Sequence, residues 1–302
     1  MTVRTTFLHR ALVALCAFVL SCGLLSGQGL SRRCEHRTVR FQKLDREYYL
    51  YIPASMKPGA ALVIALHGHG GQAEDMPAAL LTTADKGGFA LCVPQGIIGP
   101  EGHQGWNVGY PFQKGMKSDD VAFICFLAKK LQNEFGLSRS DAFLTGMSNG
   151  GEMCYLTAMR APETFKAIAS IAGLTMEWMA RDLSYRKPVH FMEVHGTEDH
   201  VSEWLGDPED KGGWGAYLPV PVAVGRIVAA NGCLYEQVEE LPQKEGRHPV
   251  TLYRFTDGKP AANGGAPAEV WLYKVQGGGH SWANGDMDTF GLIWEFFSRF
   301  ID

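Results

Sequence analysis

The stretch Leu144-Thr145-Gly146-Met147-Ser148-Asn149-Gly150-Gly151 decides the fold of this chain. An apolar run ends at Gly146 and a helical pattern begins after Asn149, which predicts a tight strand-to-helix turn with Ser148 at its tip. Such a turn needs small neighbours, because its strained backbone lifts the serine hydroxyl clear of the sheet. The N-terminus of the following helix would stabilise negative charge beside the serine. The stretch therefore indicates a nucleophilic serine.

A nucleophilic serine needs a base that accepts its proton and an acid that orients the base. Two later apolar runs, 189–194 and 270–275, are predicted strands, and each leads into a polar loop. The first loop contains Asp199 and the second contains His280. In the chain order serine, acid, histidine, Asp199 is predicted as the acid and His280 as the base.

Other side chains in and near the acid loop could take either role. A base supplied from that loop would break the expected chain order. The alternative acids are Glu198, Asp182 and Asp207, and the histidines that flank the acid are His195 and His200.

A glycine-rich loop after an early buried strand predicts the oxyanion hole. The strand candidate 61–66 is followed by His67-Gly68-His69-Gly70-Gly71. Glycines allow backbone amides to converge on one point. We expect the amide of Asn149 to be one donor and the amide of His69 or Gly70 to be the other. The His-x-His pair has no acidic or cysteine partner nearby at ligand spacing, so no metal site is predicted.

Four motifs occur together along the chain. They are His67-Gly68-x-Gly70-Gly71, Gly146-Met147-Ser148-Asn149-Gly150-Gly151, His195-Gly196-Thr197-x-Asp199 and Gly277-Gly278-Gly279-His280-Ser281-Trp282. From about Tyr48 to the C-terminus, the chain resembles secreted α/β-hydrolases of the polyhydroxybutyrate depolymerase, feruloyl esterase and acetyl xylan esterase type. The resemblance implies an α/β-hydrolase fold, a carboxylic ester hydrolase with a Ser148, Asp199 and His280 triad, and no cofactor.

The resemblance leaves the substrate open. Ser202 and Ala283 stand where many relatives carry proline, and both positions belong to loops near the predicted site. The expected substrates are short-chain acyl, feruloyl or hydroxyalkanoate oligomer esters, derived from polysaccharides or polyesters. Because a fold does not determine a function, a non-catalytic binding protein or a serine peptidase on the same scaffold stays an alternative.

Composition favours one enzyme-sized domain and disfavours a nucleic-acid partner. The chain has 302 residues, 46% of them hydrophobic, with a formal net charge of −4. Its lysines and arginines are scattered along the sequence and form no basic cluster of the kind that binds nucleic acid. This length suits a single domain, and the resemblance implies that residues 29–302 form one α/β-hydrolase domain.

Alternating strand and helix patterns predict a mostly parallel sheet with helices on both faces. The predicted strands are 47–52 at an edge, 61–66, 89–93, 141–145, 167–172, 189–194 and 270–275. The predicted helices are 76–84, one that begins at 118–120 and ends before 136, one that follows Asn149, 222–230 and 287–300.

The first 28 residues predict a signal peptide. Arg4 and Arg10 precede the apolar run 11–20, and small and polar residues follow it. That run is short for a membrane span. Val19-Leu20-Ser21-Cys22 also has the form of a lipobox, so cleavage before Cys22 and attachment to a membrane by lipid is an alternative. Both the signal peptide and the lipobox predict a secreted, periplasmic or cell-envelope protein.

The cysteines and the aromatic residues of two loops give two further predictions. Cys125 and Cys154 are predicted as core residues, whereas disulfide pairing stays open. Two long loops, 101–116 and 203–217, are predicted to lie over the site, where their aromatic side chains could line a substrate pocket. Local packing explains Trp214 at least as well. The bridge candidates are Cys34, Cys92 and Cys233, and the predicted substrate-binding residues are Trp106, Trp204 and Trp282.

Overall fold

The computed structural model describes residues 30–302. The predicted signal peptide and the lipobox with Cys22 lie outside the described residues, so both stay predictions. No helix in 30–302 combines the length and the apolar character that crossing a membrane would require.

Strands and helices alternate through the middle of the described chain. The strands are β1 Glu35–Phe41, β2 Leu44–Tyr51, β3 Leu62–Leu66, β4 Ala90–Pro94, β5 Ile97–Ile98, β6 Gln104–Gly105, β7 Ala142–Met147, β8 Ala167–Ile171, β9 His190–Gly196, β10 Tyr235–Glu240, β11 Val250–Thr256 and β12 Val270–Val275. The helices are α1 Ala79–Gly87, α2 Asp120–Phe135, α3 Asn149–Arg160, α4 Glu177–Asp182, α5 Val220–Asn231 and α6 Thr289–Ser298.

Ten of these strands form one sheet, in the order β1-β2-β4-β3-β7-β8-β9-β12-β11-β10. The six from β4 to β12 run parallel, and antiparallel strands flank them on both sides. Parallel neighbours bring their carboxyl ends to one edge of the sheet, where ligands bind in open α/β sheets. The loops that carry the predicted site residues, after β3, β7, β9 and β12, therefore meet at this edge.

The sheet is covered on both faces, as predicted. Every residue of β3, β4 and β8 is buried, which explains their continuous apolar runs. One face packs against α2, α3 and α5, through residues such as Leu127 and Ile227. The other face packs against α1 and α6, through Leu81 and Phe297. This arrangement confirms a mostly parallel α/β architecture.

Local signals located the long helix α2 correctly. The side chain of Asp119 accepts a hydrogen bond from the amide of Ala122, which satisfies an otherwise unpaired helix donor. The helix ends at Gly136, whose φ of 60° suits glycine. Both ends lie where the sequence predicts them.

The outer strands differ from the sequence prediction. The predicted edge strand, β2, is not at the edge, because β1 pairs along its full length outside it. The strands β1, β10 and β11 were not predicted. All of β10 is exposed, and its sequence, Tyr-Glu-Gln-Val-Glu-Glu, shows no buried face. Pairing with a neighbour, not burial, makes it a strand.

The five described cysteines are all free, so no bridge joins Cys34, Cys92 and Cys233. Cys34 precedes β1 and Cys233 precedes β10, which are the strands at opposite ends of the sheet. The core placement of the other two is confirmed, because Cys154 is buried and Cys125 packs against the same core.

Candidate active site

The predicted nucleophile lies at the turn between β7 and α3. Ser148 has φ 56° and ψ −123°, a positive φ that costs a residue other than glycine on the order of 1–3 kcal/mol. Its amide donates a hydrogen bond to the carbonyl of Ile171 at 2.8 Å, which ties the turn to β8. The side chain is half-buried. The local geometry is that of a strained elbow with its hydroxyl at the carboxyl edge of the sheet.

Glycines make room for this elbow. A Cβ atom on Gly150 would lie 2.6 Å from the carbonyl oxygen of Leu66, and one on Gly146 would overlap the carbonyl of Gly150. A Cβ on Gly68 would lie 3.2 Å from the Cβ of Ser148. The glycine loop after β3 and the elbow after β7 therefore pack directly on one another.

The predicted acid and base are hydrogen-bonded. Nδ1 of His280 lies 2.7 Å from Oδ2 of Asp199, whose side chain is fully buried, whereas that of His280 is 20% exposed. The other oxygen of Asp199 accepts hydrogen bonds from the amides of Val201 and Ser202, both at 2.8 Å. Burial alone would raise the pKa of Asp199, but the hydrogen bond and the charge of His280 outweigh it, so the pKa is lowered. An ionised Asp199 thus holds the ring.

The alternative acids lie elsewhere. Glu198 is exposed to solvent, although it is the neighbour of Asp199. Asp182 pairs with the adjacent arginine on the surface, and Asp207 accepts an amide hydrogen bond within its own loop. Among the acids considered, Asp199 is the one that reaches His280.

Ser148 lies at the same edge of the sheet as Asp199 and His280. Within residues 30–302 its hydroxyl makes no hydrogen bond to His280, although both residues stand at the carboxyl edge of the sheet. Catalytic hydrogen bonds are often long in the absence of substrate and tighten in the complex. The serine–histidine contact therefore stays a prediction.

The candidate oxyanion donors lie beside the elbow. The amide of Gly70 donates to the carbonyl of Gln104 at 2.7 Å, which leaves His69 as the donor from the early loop. Asn149 is the first residue of α3, where backbone amides lack partners within the helix. The side chains of His69 and Asn149 both face Gly105, where a Cβ would lie 3.2 Å and 3.0 Å from them.

Comparison with known proteins shows that the chain is similar to esterases. The family model described as Esterase PHB depolymerase matches residues 46–185. A protein named "Putative esterase NocK", from Nocardia uniformis subsp. tsuyamanensis, is 26% identical over 240 residues, which cover 76% of this chain and 68% of that protein. "Probable feruloyl esterase C" from Aspergillus oryzae is 26% identical over 171 residues, or 54% of this chain and 58% of that protein.

The chain is a carboxylic ester hydrolase. An acetyl xylan esterase from Aspergillus awamori has a similar structure, with a TM-score of 0.57 and 16% identity, over 85% of this chain and 99% of that one. This likeness confirms the α/β-hydrolase fold of the esterase.

The prediction that Trp106 of the esterase binds substrate is wrong. Trp106 is completely buried, and its indole nitrogen donates a hydrogen bond to the carbonyl of His67 at 2.9 Å. It supports the glycine loop from beneath and presents no surface to a substrate. Trp204 and Trp282 are partly exposed, so their predicted contact with substrate stays a prediction.

Trp214 belongs to an aromatic cluster around His69. Its ring centroid lies 5.5 Å from that of His69, and the rings of Tyr110 and Phe112 lie 6.3 Å and 5.5 Å from His69. Both long loops contribute to this cluster, as expected for loops that lie over the site. The sequence does not reveal this role of Trp214, because only the fold brings residues 110 and 214 together.

The side chain of Asn149 has a second role that the sequence analysis missed. Its oxygen accepts the amide of Trp106 at 2.7 Å, and its nitrogen donates to the carbonyl of Trp106 at 3.1 Å. Both groups are buried. Asn149 therefore fastens the 101–116 loop to the elbow while its own backbone amide stays at the helix N-terminus.

A buried glutamate lies just behind the elbow. Glu152, in the first turn of α3, is 2% exposed, and its Oε2 atom has no hydrogen-bond partner. Burial raises the pKa of Glu152 to about 8, and the side chains of Tyr110 and Asn149 offset only part of that shift. The acid is therefore mainly protonated at neutral pH. A single carboxylate in the largely uncharged sequence of α3 is the sequence signal that was missed.

We expect Glu152→Gln to flatten the pH dependence of stability. The folded pKa lies above the free value, so the folded state binds the extra proton and wild-type stability falls between about pH 4.5 and 8. Glutamine has no such proton. The free energy of unfolding of the variant relative to wild type should therefore rise with pH, by a few kcal/mol in all, at about 1.4 kcal/mol per pKa unit.

Urea unfolding at pH 5 and at pH 8 measures this difference. The matched control is Glu236→Gln, at an exposed position of β10. Parallel profiles for wild type and Glu152→Gln would contradict the raised pKa.

Proposed function

We propose that this esterase is an exported serine hydrolase that cleaves carboxylic esters through an acyl-enzyme. The observation that carries the proposal is the 2.7 Å hydrogen bond between Asp199 and His280, at the edge of the sheet where Ser148 stands on a strained turn. A serine on a strained turn, a buried acid and an imidazole, which follow one another in that order along the chain, are the parts of a nucleophile with its orienting group and base.

Each of these residues has one role in the proposed reaction. The oxygen of Ser148 attacks the ester carbonyl while His280 accepts its proton, and Asp199 holds the ring in the tautomer that can do so. The amides of His69 and Asn149 stabilise the charge on the carbonyl oxygen. The bond to the alcohol then breaks, and His280 donates its proton to the leaving oxygen. Water activated by His280 cleaves the acyl-enzyme and restores the serine.

The proposed substrates are short-chain acyl, feruloyl or hydroxyalkanoate oligomer esters. Support comes from the family description and from the relative named as a feruloyl esterase. The aromatic cluster around His69 and the partly exposed Trp204 and Trp282 could contact an acyl group of this size.

We also propose that the enzyme is exported. Support comes from the sequence of the first 28 residues, with basic residues, a short apolar run and a small-residue region. Cleavage before Cys22 would leave a cysteine for lipid attachment to a membrane, whereas cleavage near residue 28 would release the protein.

The test is a substrate panel combined with active-site labelling. The panel contains short-chain nitrophenyl esters, methyl ferulate, acetylated xylan, hydroxybutyrate oligomers and a peptide mixture. We expect turnover of at least one ester, and loss of that turnover when a nitrophenyl phosphonate adds covalently to Ser148, as located by peptide mass spectrometry. Cleavage of peptides alone would support the peptidase alternative. Absence of both turnover and labelling would support a binding protein.

A further inference from the structure

Two ionisable residues that the proposed mechanism does not use lie behind the catalytic acid. Glu193 and His195 are two residues apart in β9, and their side chains are fully buried. Burying a charge in a protein core is costly unless the charge is paired and hydrogen-bonded. Their presence beside the acid loop therefore needs a physical reason.

Both ring nitrogens of His195 face hydrogen-bond acceptors. Nδ1 lies 2.9 Å from Oε1 of Glu193, and Nε2 lies 2.7 Å from the carbonyl oxygen of Ser202. A neutral imidazole has one donor and one acceptor, whereas the charged imidazolium donates from both nitrogens. When Glu193 is ionised, the two contacts are satisfied together only if His195 is doubly protonated.

The charged groups around the ring are consistent with an imidazolium. Burial alone would lower the pKa of His195, but the hydrogen bond and the charge of Glu193 outweigh it and raise the pKa. The other titratable groups near this pair are Asp199 in the acid loop, Cys154 and Tyr155 on α3, and Tyr185 after α4. Lys274 is in register with His195 on β12.

His195 is connected to the catalytic acid in two ways. Its Nε2 lies 3.7 Å from Oδ2 of Asp199, the same oxygen that contacts His280. Its hydrogen bond to the carbonyl of Ser202 also holds the residue whose amide donates to Asp199. The ring of His195 thus lies close to the carboxylate of Asp199 and is hydrogen-bonded to the backbone of the acid loop.

We propose that His195, held by Glu193, is a buried cation that positions Asp199 and keeps this carboxylate ionised while His280 carries the proton. The inference rests on the proposed function, because it takes Asp199 as the acid of the triad. A cation this close weakens the attraction of Asp199 for a proton. The carboxylate then orients His280 without accepting its proton. His195 is a positioning residue, since it acts on the reaction through Asp199.

Removal of the cation should change both rate and pH dependence. In His195→Gln, the neutral side chain cannot donate to both acceptors. The acid loop should therefore shift, and displacement on the order of 1 Å costs up to about 100-fold. We expect kcat per active site to fall about 10- to 100-fold. The acidic limb of the kcat/KM profile should move at least about 0.5 unit to higher pH, because an unshielded Asp199 stabilises the protonated form of His280 more strongly.

Titration with a phosphonate counts the active sites, so that kcat can be compared per active site among the variants. The matched control is His200→Gln, the same substitution at an exposed position of the same loop, for which we expect wild-type kcat and an unshifted limb. A second variant, Glu193→Gln, keeps the size of the side chain and should move the limb in the same direction as His195→Gln. An unchanged limb in both variants, with kcat per active site equal to wild type, would overturn the proposal.

A measurement on the wild type needs no variant to fold. Nitrogen-15 NMR of the histidine side chains at pH 7 should show one buried ring with both nitrogens protonated. A neutral ring that keeps one protonated nitrogen at His195 would overturn the proposal. Failure of the proposed function would give a different result, because the wild-type protein would then neither hydrolyse any ester of the panel nor be labelled at Ser148.

Discussion

Replacement of Ser148 by alanine is expected to lower kcat for ester hydrolysis by about 10⁴- to 10⁶-fold. Alanine removes the attacking oxygen, so no acyl-enzyme forms, and only the oxyanion donors and substrate binding remain. The positive φ of residue 148 is as strained for alanine as for serine, so the fold should persist. Initial rates with the best ester of the panel measure the loss.

A double variant sharpens this test. Because the serine and its base act as one unit, Ser148→Ala and His280→Ala together should be little worse than either alone. Circular dichroism and the unfolding midpoint serve as controls for folding. A Ser148→Ala variant that retained a tenth of the wild-type kcat would contradict a serine nucleophile at this position.

Replacement of Asp199 by asparagine is expected to lower kcat by about 10⁴-fold. The carboxylate accepts the Nδ1–H of His280 at 2.7 Å and so leaves Nε2 free to act as the base. An asparagine that turns its amide nitrogen toward His280 would favour the opposite tautomer. Its oxygen can still accept from the amides of Val201 and Ser202, so the loop should keep its shape.

The matched control for this change is Asp182→Asn. Asp182 was an alternative acid in the sequence, and it lies on the surface beside Arg181. We expect this control to retain wild-type kcat. A loss of less than tenfold in Asp199→Asn, or a larger loss in the control, would remove Asp199 from the triad.

Local sequence patterns were sufficient for the elements that bury a continuous face. The strand β12 and the start of α2 lie where the apolar runs and the capping aspartate predict them. The elbow is also local, because the small residues around Ser148 are required by steric contacts that its own turn creates. Strands without a buried face carry no such signal, which is why β1 and β10 were missed.

The sequence by itself therefore determined the central sheet, the elbow at Ser148 and the loops that hold the candidate acid and base. Chain order and spacing suffice for this, because parallel strands bring their carboxyl ends to one edge. Only the tertiary structure distinguished Asp199 from Glu198, since the direction of a loop side chain depends on the amides and the ring that surround it.

Long-range contacts also decided what the sequence could not assign. Trp106 is a support for the glycine loop and not a pocket wall, because the fold encloses it completely. The His195–Glu193 pair became significant once β9 placed both side chains under the acid loop. Burial and hydrogen bonding are properties of the whole packed molecule, so residues whose roles depend on them are identified only when their neighbours are known.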